Sequence, residues 1–205
     1  FGFSAIPTGL IYFGALGLGS LLLGLPFGLY GTFVIEAKFG FNRTTLITFI
    51  SDFIKGAVLS VSLGGILMTG LLFFFQWAES SAWLWCWAAA TLFLLTVQFV
   101  APTWIMPLFN KFTPLKDGSL RTSIVSYAES VTFPLRDNFV VDGSKRSSKA
   151  NAFFTGFGGN KRIGLFDTLV EHYSVPELVA VVAHEVGHYK KGHLLKGLLV
   201  QVLYL

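Results

Sequence analysis

The sequence predicts a mainly α, polytopic membrane protein that also carries a polar part with a small β-sheet. Three observations predict this. Of the 205 residues 53% are hydrophobic and 13% charged, where a soluble domain has about 25% charged residues, and mean hydropathy is +0.65. The charge is unevenly spread: residues 1–35 contain none, and residues 111–196 hold most of the Lys, Arg, Asp and Glu. The first 110 residues contain three apolar runs as long as the roughly 20 residues that cross a bilayer, whereas the stretch after them alternates short helix-period and strand-period patterns. The expected division is 1–110 as transmembrane helices with an interfacial loop at 36–55, 111–197 as the polar part, and 198–205 as the start of a further transmembrane helix.

Residues 6–35 form the first expected span, with Pro26 and several glycines of the kind membrane helices tolerate. Residues 36–55 read as a polar connector. Within it Thr44 to Lys55 is expected to be a short amphipathic helix lying at the interface, with Leu46, Ile47, Phe49, Ile50, Phe53 and Ile54 apolar. The second span covers residues 56–78 and the third 82–106, the latter carrying Trp83, Trp85, Trp87 and Trp104, which suit an aromatic belt. Pro102 and Pro107 close or kink it. The single cysteine, Cys86, lies inside this apolar run, so no disulfide framework is possible within the chain.

Loop charge gives an orientation. Lys38, Arg43 and Lys55 fall in the first connector, only Glu79 in the second, and Lys111, Lys116 and Arg121 follow the third span. Excess Lys and Arg mark the cytoplasmic side, so the polar part is expected to face the cytosol. The net charge of +4 reads as basic loops beside anionic headgroups, and nothing in the chain points to nucleic acid. Both ends lie in apolar runs, which reads as an internal portion of a longer protein.

In the polar part, Ser119 to Thr132 has helical spacing of Leu120, Ile124, Val125, Tyr127, Ala128 and Val131. Phe139 to Val141 is a strand ended by the turn Asp142-Gly143. Asn151 to Gly156 is a second strand, 158–160 a turn, and Arg162 to Phe166 a third strand. Asp167 or Thr168 caps a helix running to about His172. Ser174-Val-Pro-Glu177 is a helix start, with Ser174 as N-cap, Pro176 in the first turn and Glu177 completing a capping box.

That last helix carries His184-Glu185-x-x-His188. Residues four apart turn about 400° along a helix, so the two imidazoles share a face and can hold one Zn²⁺ at about 2.0–2.1 Å. Glu185 stands roughly 100° round the helix. There it is poorly placed as a ligand and well placed to take a proton from the attacking water. The polar part is therefore expected to be a zincin-like catalytic part with one Zn²⁺ per chain. The apolar run Leu178 to Ala183 implies a largely dry setting for these groups. A third ligand must come from elsewhere. His193, nine residues after His184, falls on the opposite face of a continuous helix and reads as a helix-end residue. His172 reads as a helix-surface group, and Glu171, upstream of the histidine pair, is not expected to be the missing ligand. Lys145, Arg146, Lys149, Lys161 and Arg162 form a basic cluster, read as contact with lipid phosphates in preference to capture of a substrate carboxylate.

Several further stretches accompany the motif in order: Glu36-x-Lys-Phe-Gly-Phe-Asn42, Pro107-Leu-Phe-Asn-Lys-Phe-x-Pro-Leu115, Val141-Asp-Gly-Ser-Lys-Arg-Ser147, Asn151-Ala-Phe-Phe-x-Gly-Phe157 and Lys161-Arg-Ile-Gly-Leu-Phe-Asp-Thr-Leu169. Together they resemble the integral-membrane zinc proteases of the CAAX prenyl protease 1 type, relatives of the HtpX-type proteases. The first and third stretches favour the CAAX branch.

The resemblance implies a ring of seven membrane helices around a chamber. It also implies a third zinc ligand, a glutamate, beyond residue 205. Asn151, Ala152 and Phe153 are implied to contact substrate along a strand edge. The expected substrate is a peptide or protein, possibly lipidated, cleaved after a prenyl-cysteine to release a tripeptide. An HtpX-like quality-control protease and a non-catalytic zinc-binding membrane protein are the alternatives. The short loops favour a bacterial inner membrane, with the endoplasmic reticulum second.

Overall fold

A computed structural model describes residues 4–155 and 161–204, which divide into two compact units at Gln98 and Phe99. Among the described residues three helices are long and apolar enough to cross a membrane: Ala5–Glu36, Leu46–Trp77 and Glu79–Phe109.

In the first unit, α1 (Ala5–Tyr30) passes through Pro26 and widens into a π-type stretch, Gly31–Glu36. A proline removes one backbone donor from the ladder, yet the helix continues. The short connector then reaches Thr45, whose side chain accepts from the Thr48 N–H and caps α2 (Leu46–Trp77). Here the structure differs from expectation. The residues expected to form an interfacial helix are the first turns of one 32-residue helix, because nothing between Lys55 and Gly56 breaks it. Asp52 and Lys55 are thus borne by the same helix as the apolar run that follows them. A tight turn at Glu79–Ser81 leads to α3 (Ala82–Val100). The start of α3 packs on the end of α2 through aromatic rings: Trp85 stacks on Phe74 at 5.9 Å and meets Trp77 edge-on at 5.9 Å. Cys86 Sγ lies 3.6 Å from the Leu71 carbonyl, so the lone cysteine faces a helix contact.

The second unit opens with the π-type stretch Ala101–Ile105, holding Pro102, and α4 (Met106–Phe109). A four-stranded mixed sheet follows. Its strands are β1 (Phe112–Pro114), β2 (Leu135–Val141), β3 (Ala152–Thr155) and β4 (Lys161–Phe166), in the spatial order β1-β2-β4-β3. β2 and β4 run parallel in the centre, and both outer pairs are antiparallel. β1 was not expected from sequence, being three residues long and ending in a proline, which is tolerated only at an edge. The expected turn at 158–160 lies outside the described residues.

Helices α5 (Ser119–Ser130), α6 (Asp167–His172), α7 (Val175–Lys190) and α8 (His193–Leu203) complete the unit. The core joins one face of the sheet to α5 and α7. Ile124 and Ala128 from α5, Ile163 and Leu165 from β4, and Leu178, Val182 and Val186 from α7 are all buried. The α7 residues recur every four positions, one per turn.

Candidate active site

Helix α7 starts where the sequence placed it. The Ser174 N–H and hydroxyl both donate to Glu177 Oε2, at 2.8 and 2.6 Å. These hydrogen bonds hold the Glu177 carboxyl below the usual carboxylate range, the side-chain bond being the larger cause. This fixed start sets the rotation of the helix. Leu178, Val182 and Val186 turn inward, and His184 and His188, about 200° from Val182 and Val186, turn outward.

Both histidines are exposed and Glu185 is half-buried. The expected dry setting is not what the second unit builds by itself, because the apolar run ahead of the motif belongs to the opposite, packed stripe. The Nε2 atoms of His184 and His188 lie 3.0 Å apart, with ring centroids 4.6 Å apart. Two imidazoles sharing one tetrahedral ion at about 2.0–2.1 Å need nitrogens about 3.3 Å apart. The pair therefore fits a zinc ion as two of its ligands with only a small adjustment. Among the described residues no group of three His, Cys, Asp or Glu converges on one point to close such a site.

His193 is where the structure departs from helix arithmetic. An opposite-face position would require α7 to continue through His193. Instead α7 ends at Lys190, and Gly192 takes a left-handed conformation (φ 65°) that starts α8 in a new direction. Glycine adopts this left-handed conformation without the steric cost a Cβ would add. His193 thereby returns to α7, and its Nδ1 lies 2.8 Å from Nδ1 of His188. It meets the nitrogen of His188 that faces away from His184. Lost hydration, then the charges of His188, Lys196 and Lys191, hold the His193 imidazole below the usual histidine value. The signal for this contact was present in the sequence as Lys191-Gly192, a helix stop directly before a histidine.

Strand β3, carrying two of the three expected substrate residues, ends the sheet beyond β4, and α7 packs against it: Phe154 meets Tyr189 edge-on at 5.7 Å. Asn151 immediately precedes the strand. Its carbonyl accepts from the Phe166 N–H at 3.0 Å, so by antiparallel alternation the Ala152 and Phe154 backbone groups point away from β4. Asn151 Oδ1 already accepts from the Ala152 N–H at 2.9 Å. Ala152 is 7% exposed and its side chain belongs to the core. Phe153 points to the other face of the sheet. There it closes a cleft of about 120 Å³ shared with Phe112, Phe139, Arg162 and Gly164. Its ring lies so close over Gly164 that a Cβ there would be 2.6 Å from it.

The expected basic cluster is dispersed. Lys161 is 1% exposed, its ammonium over the Tyr189 ring. Arg146 donates to Asn110 Oδ1 at 2.7 Å and to the Phe109 carbonyl at 2.6 Å. Arg162 lies over Phe139 and 3.5 Å from Asp137. Burial and pairing engage Lys161, Arg146 and Arg162, whereas Lys145 and Lys149 are exposed, so the five do not form one basic surface. His172 Nδ1 bonds to the Thr168 carbonyl of its own helix at 2.8 Å.

Two family models match the chain. Residues 2–111 match "CAAX prenyl protease N-terminal, five membrane helices", and residues 114–205 match "Peptidase family M48". A probable CAAX prenyl protease 1 of Schizosaccharomyces pombe is 44% identical over 93% of this chain and 40% of that protein. The CAAX prenyl protease 1 of Saccharomyces cerevisiae is 44% identical over 98% of this chain and 45% of its own length. A CAAX prenyl protease 1 homolog of Arabidopsis thaliana is 48% identical over 85% of this chain and 41% of its own length. The crystal structure of S. mikatae Ste24p superposes with a TM-score of 0.93 at 42% identity, covering 98% of this chain and 47% of that one. The chain thus spans less than half the length of the curated relatives it matches. These relatives come from yeasts and a plant, so the bacterial membrane favoured on loop length has no support.

Proposed function

The chain belongs to the CAAX prenyl protease 1 family of M48 metallopeptidases, and from that premise we propose that the intact protein is a membrane-integral zinc endopeptidase. The observation that carries this reading is the pair of Nε2 atoms 3.0 Å apart on α7, the helix packed along the strand that ends the sheet. His184 and His188 hold the metal, and a glutamate beyond residue 205 is the third ligand. When bound, zinc supplies the Lewis acidity that makes a water nucleophilic at neutral pH.

Glu185 would accept a proton from a water attacking the scissile carbonyl and return it to the departing amine. The substrate lies extended along β3, paired to the outward carbonyl of Ala152 and the outward N–H and carbonyl of Phe154. Of the three implied contacts, Ala152 acts through backbone alone, Asn151 holds that backbone in place, and Phe153 offers its ring. The substrate is a peptide ending in a prenylated cysteine and three further residues, which is what the relatives' names support. The location is the endoplasmic reticulum membrane with the site opening to the cytosol, which the basic loops support.

The test is Glu185→Gln in the intact protein, assayed on a prenylated peptide and on the same peptide without the lipid. Zinc content should be kept and hydrolysis should fall on the order of 10²–10⁴-fold. Retained hydrolysis would remove Glu185 from the mechanism. A wild-type protein that binds zinc and cleaves neither peptide would favour a structural, non-catalytic zinc site. Equal cleavage of both peptides would favour the HtpX-like reading.

A further inference from the structure

We infer that His193 is a positioning residue for the metal site, acting through the outer nitrogen of His188. The inference rests on the zinc-ligand reading above and goes beyond it. An imidazole has two nitrogens, and a neutral ring carries its proton on only one. For Nε2 of His188 to offer a lone pair beside His184, the proton must be on Nδ1. A bare N–H there would leave both the tautomer and the ring rotation loosely set. In this structure Nδ1 of His188 has a partner, Nδ1 of His193, at 2.8 Å. The two rings stand nearly perpendicular, at 77° with centroids 4.8 Å apart, so the contact is edge-on and directional.

The direction of this hydrogen bond follows from the site. If His193 donated, the proton of His188 would move to Nε2 and occupy the position a metal needs. With His188 donating, His193 accepts through Nδ1 and carries its own proton on Nε2. Groups that accept from the outer N–H of a ligating histidine fix its tautomer and raise its basicity, and their loss costs about 10–100-fold in metal affinity. Those partners are commonly a carboxylate or a backbone carbonyl; here the position is filled by a second imidazole. The turn at Gly192 delivers it, since in an unbroken helix five residues would rotate His193 about 140° away from His188.

The experiment measures zinc affinity of the intact, detergent-solubilised protein by chelator competition, with helicity followed by circular dichroism. Three variants separate hydrogen bonding from packing. His193→Ala removes the acceptor, His193→Lys substitutes a group that only donates, and His193→Asn keeps an acceptor close to the position of Nδ1. Zinc affinity is expected to fall about 10–100-fold in the Ala and Lys variants and to stay near wild type in the Asn variant. If Ala does not fold, the Lys and Asn pair carries the comparison. Equal affinity in wild type and the Lys variant would overturn the inference while leaving the zinc reading intact. If wild type itself bound no zinc, the zinc reading would fail, and this inference with it.

Discussion

The ammonium of Lys161 lies 3.4 Å from the centroid of the Tyr189 ring and 5.4 Å from that of Phe133. Lys161 is the largest of the fully buried side chains. It links the first residue of β4 to the residue that follows His188, so it ties the end of α7 to the sheet. A desolvated cation over an aromatic face is worth about 2 kcal/mol or more. Tyr189→Phe, which keeps the ring, should leave the melting temperature of the intact protein nearly unchanged. Tyr189→Leu should lower it clearly, and adding Lys161→Met should restore part of the loss, with a coupling of about 2 kcal/mol. Additive effects in that double-mutant cycle would mean the contact carries no energy of its own.

Strand addition at β3 makes a prediction about the substrate instead of the protein. If the outward groups of Ala152 and Phe154 pair with the peptide, replacing a paired peptide N–H by N-methyl removes one hydrogen bond and introduces a clash. A single N-methyl in that stretch should raise KM by at least fivefold, corresponding to about 1 kcal/mol. Methylation one residue along, where the N–H points away, should have little effect. A scan showing no alternation would argue against edge pairing.

Gly164 is the position where the sheet leaves room for Phe153. A Cβ there would approach the ring to 2.6 Å, closer than packing allows without movement. Gly164→Ala should displace the Phe153 ring from its cleft and cost about 1–3 kcal/mol through overpacking. Combining it with Phe153→Leu should recover much of the stability, measured as thermal unfolding of each variant. If the single variant were as stable as wild type, the ring would be free to move aside.

The capping box gives a pH dependence. The Glu177 carboxyl is lowered by its bonds from Ser174, so the ionised form stabilises the folded start of α7. That stabilisation is fully present above the ordinary carboxylate range, and it is lost as pH falls through the lowered value in the folded protein. Ser174→Ala should bring Glu177 back toward its ordinary value and lower the melting temperature near neutral pH. The gap between the two proteins should close as the solution is acidified. A gap that is constant with pH would show that the Glu177 charge plays no part in the cap.

Much of the site was legible because it is local. A helix start written as Ser174-Val-Pro-Glu177 and a pair of histidines four residues apart depend only on helix geometry, and the structure keeps both. The three long apolar runs were legible for a similar reason, since length and apolar character alone decide whether a helix can cross a bilayer. The boundary of α2 was misread because Asp52 and Lys55 look like loop residues to composition, whereas a capped helix with no breaker simply runs through them.

What the sequence determined by itself, then, was the kind of element at each place and the zincin motif on one of them. Only the tertiary structure decided which face of α7 is packed, that β3 ends the sheet with Ala152 turned into the core, that Lys161 is buried, and that His193 comes back to His188. Each of these depends on where the chain goes after an element ends. A left-handed Gly192, or a crossover that puts β4 between β2 and β3, brings together residues whose spacing in the sequence carries no period to read.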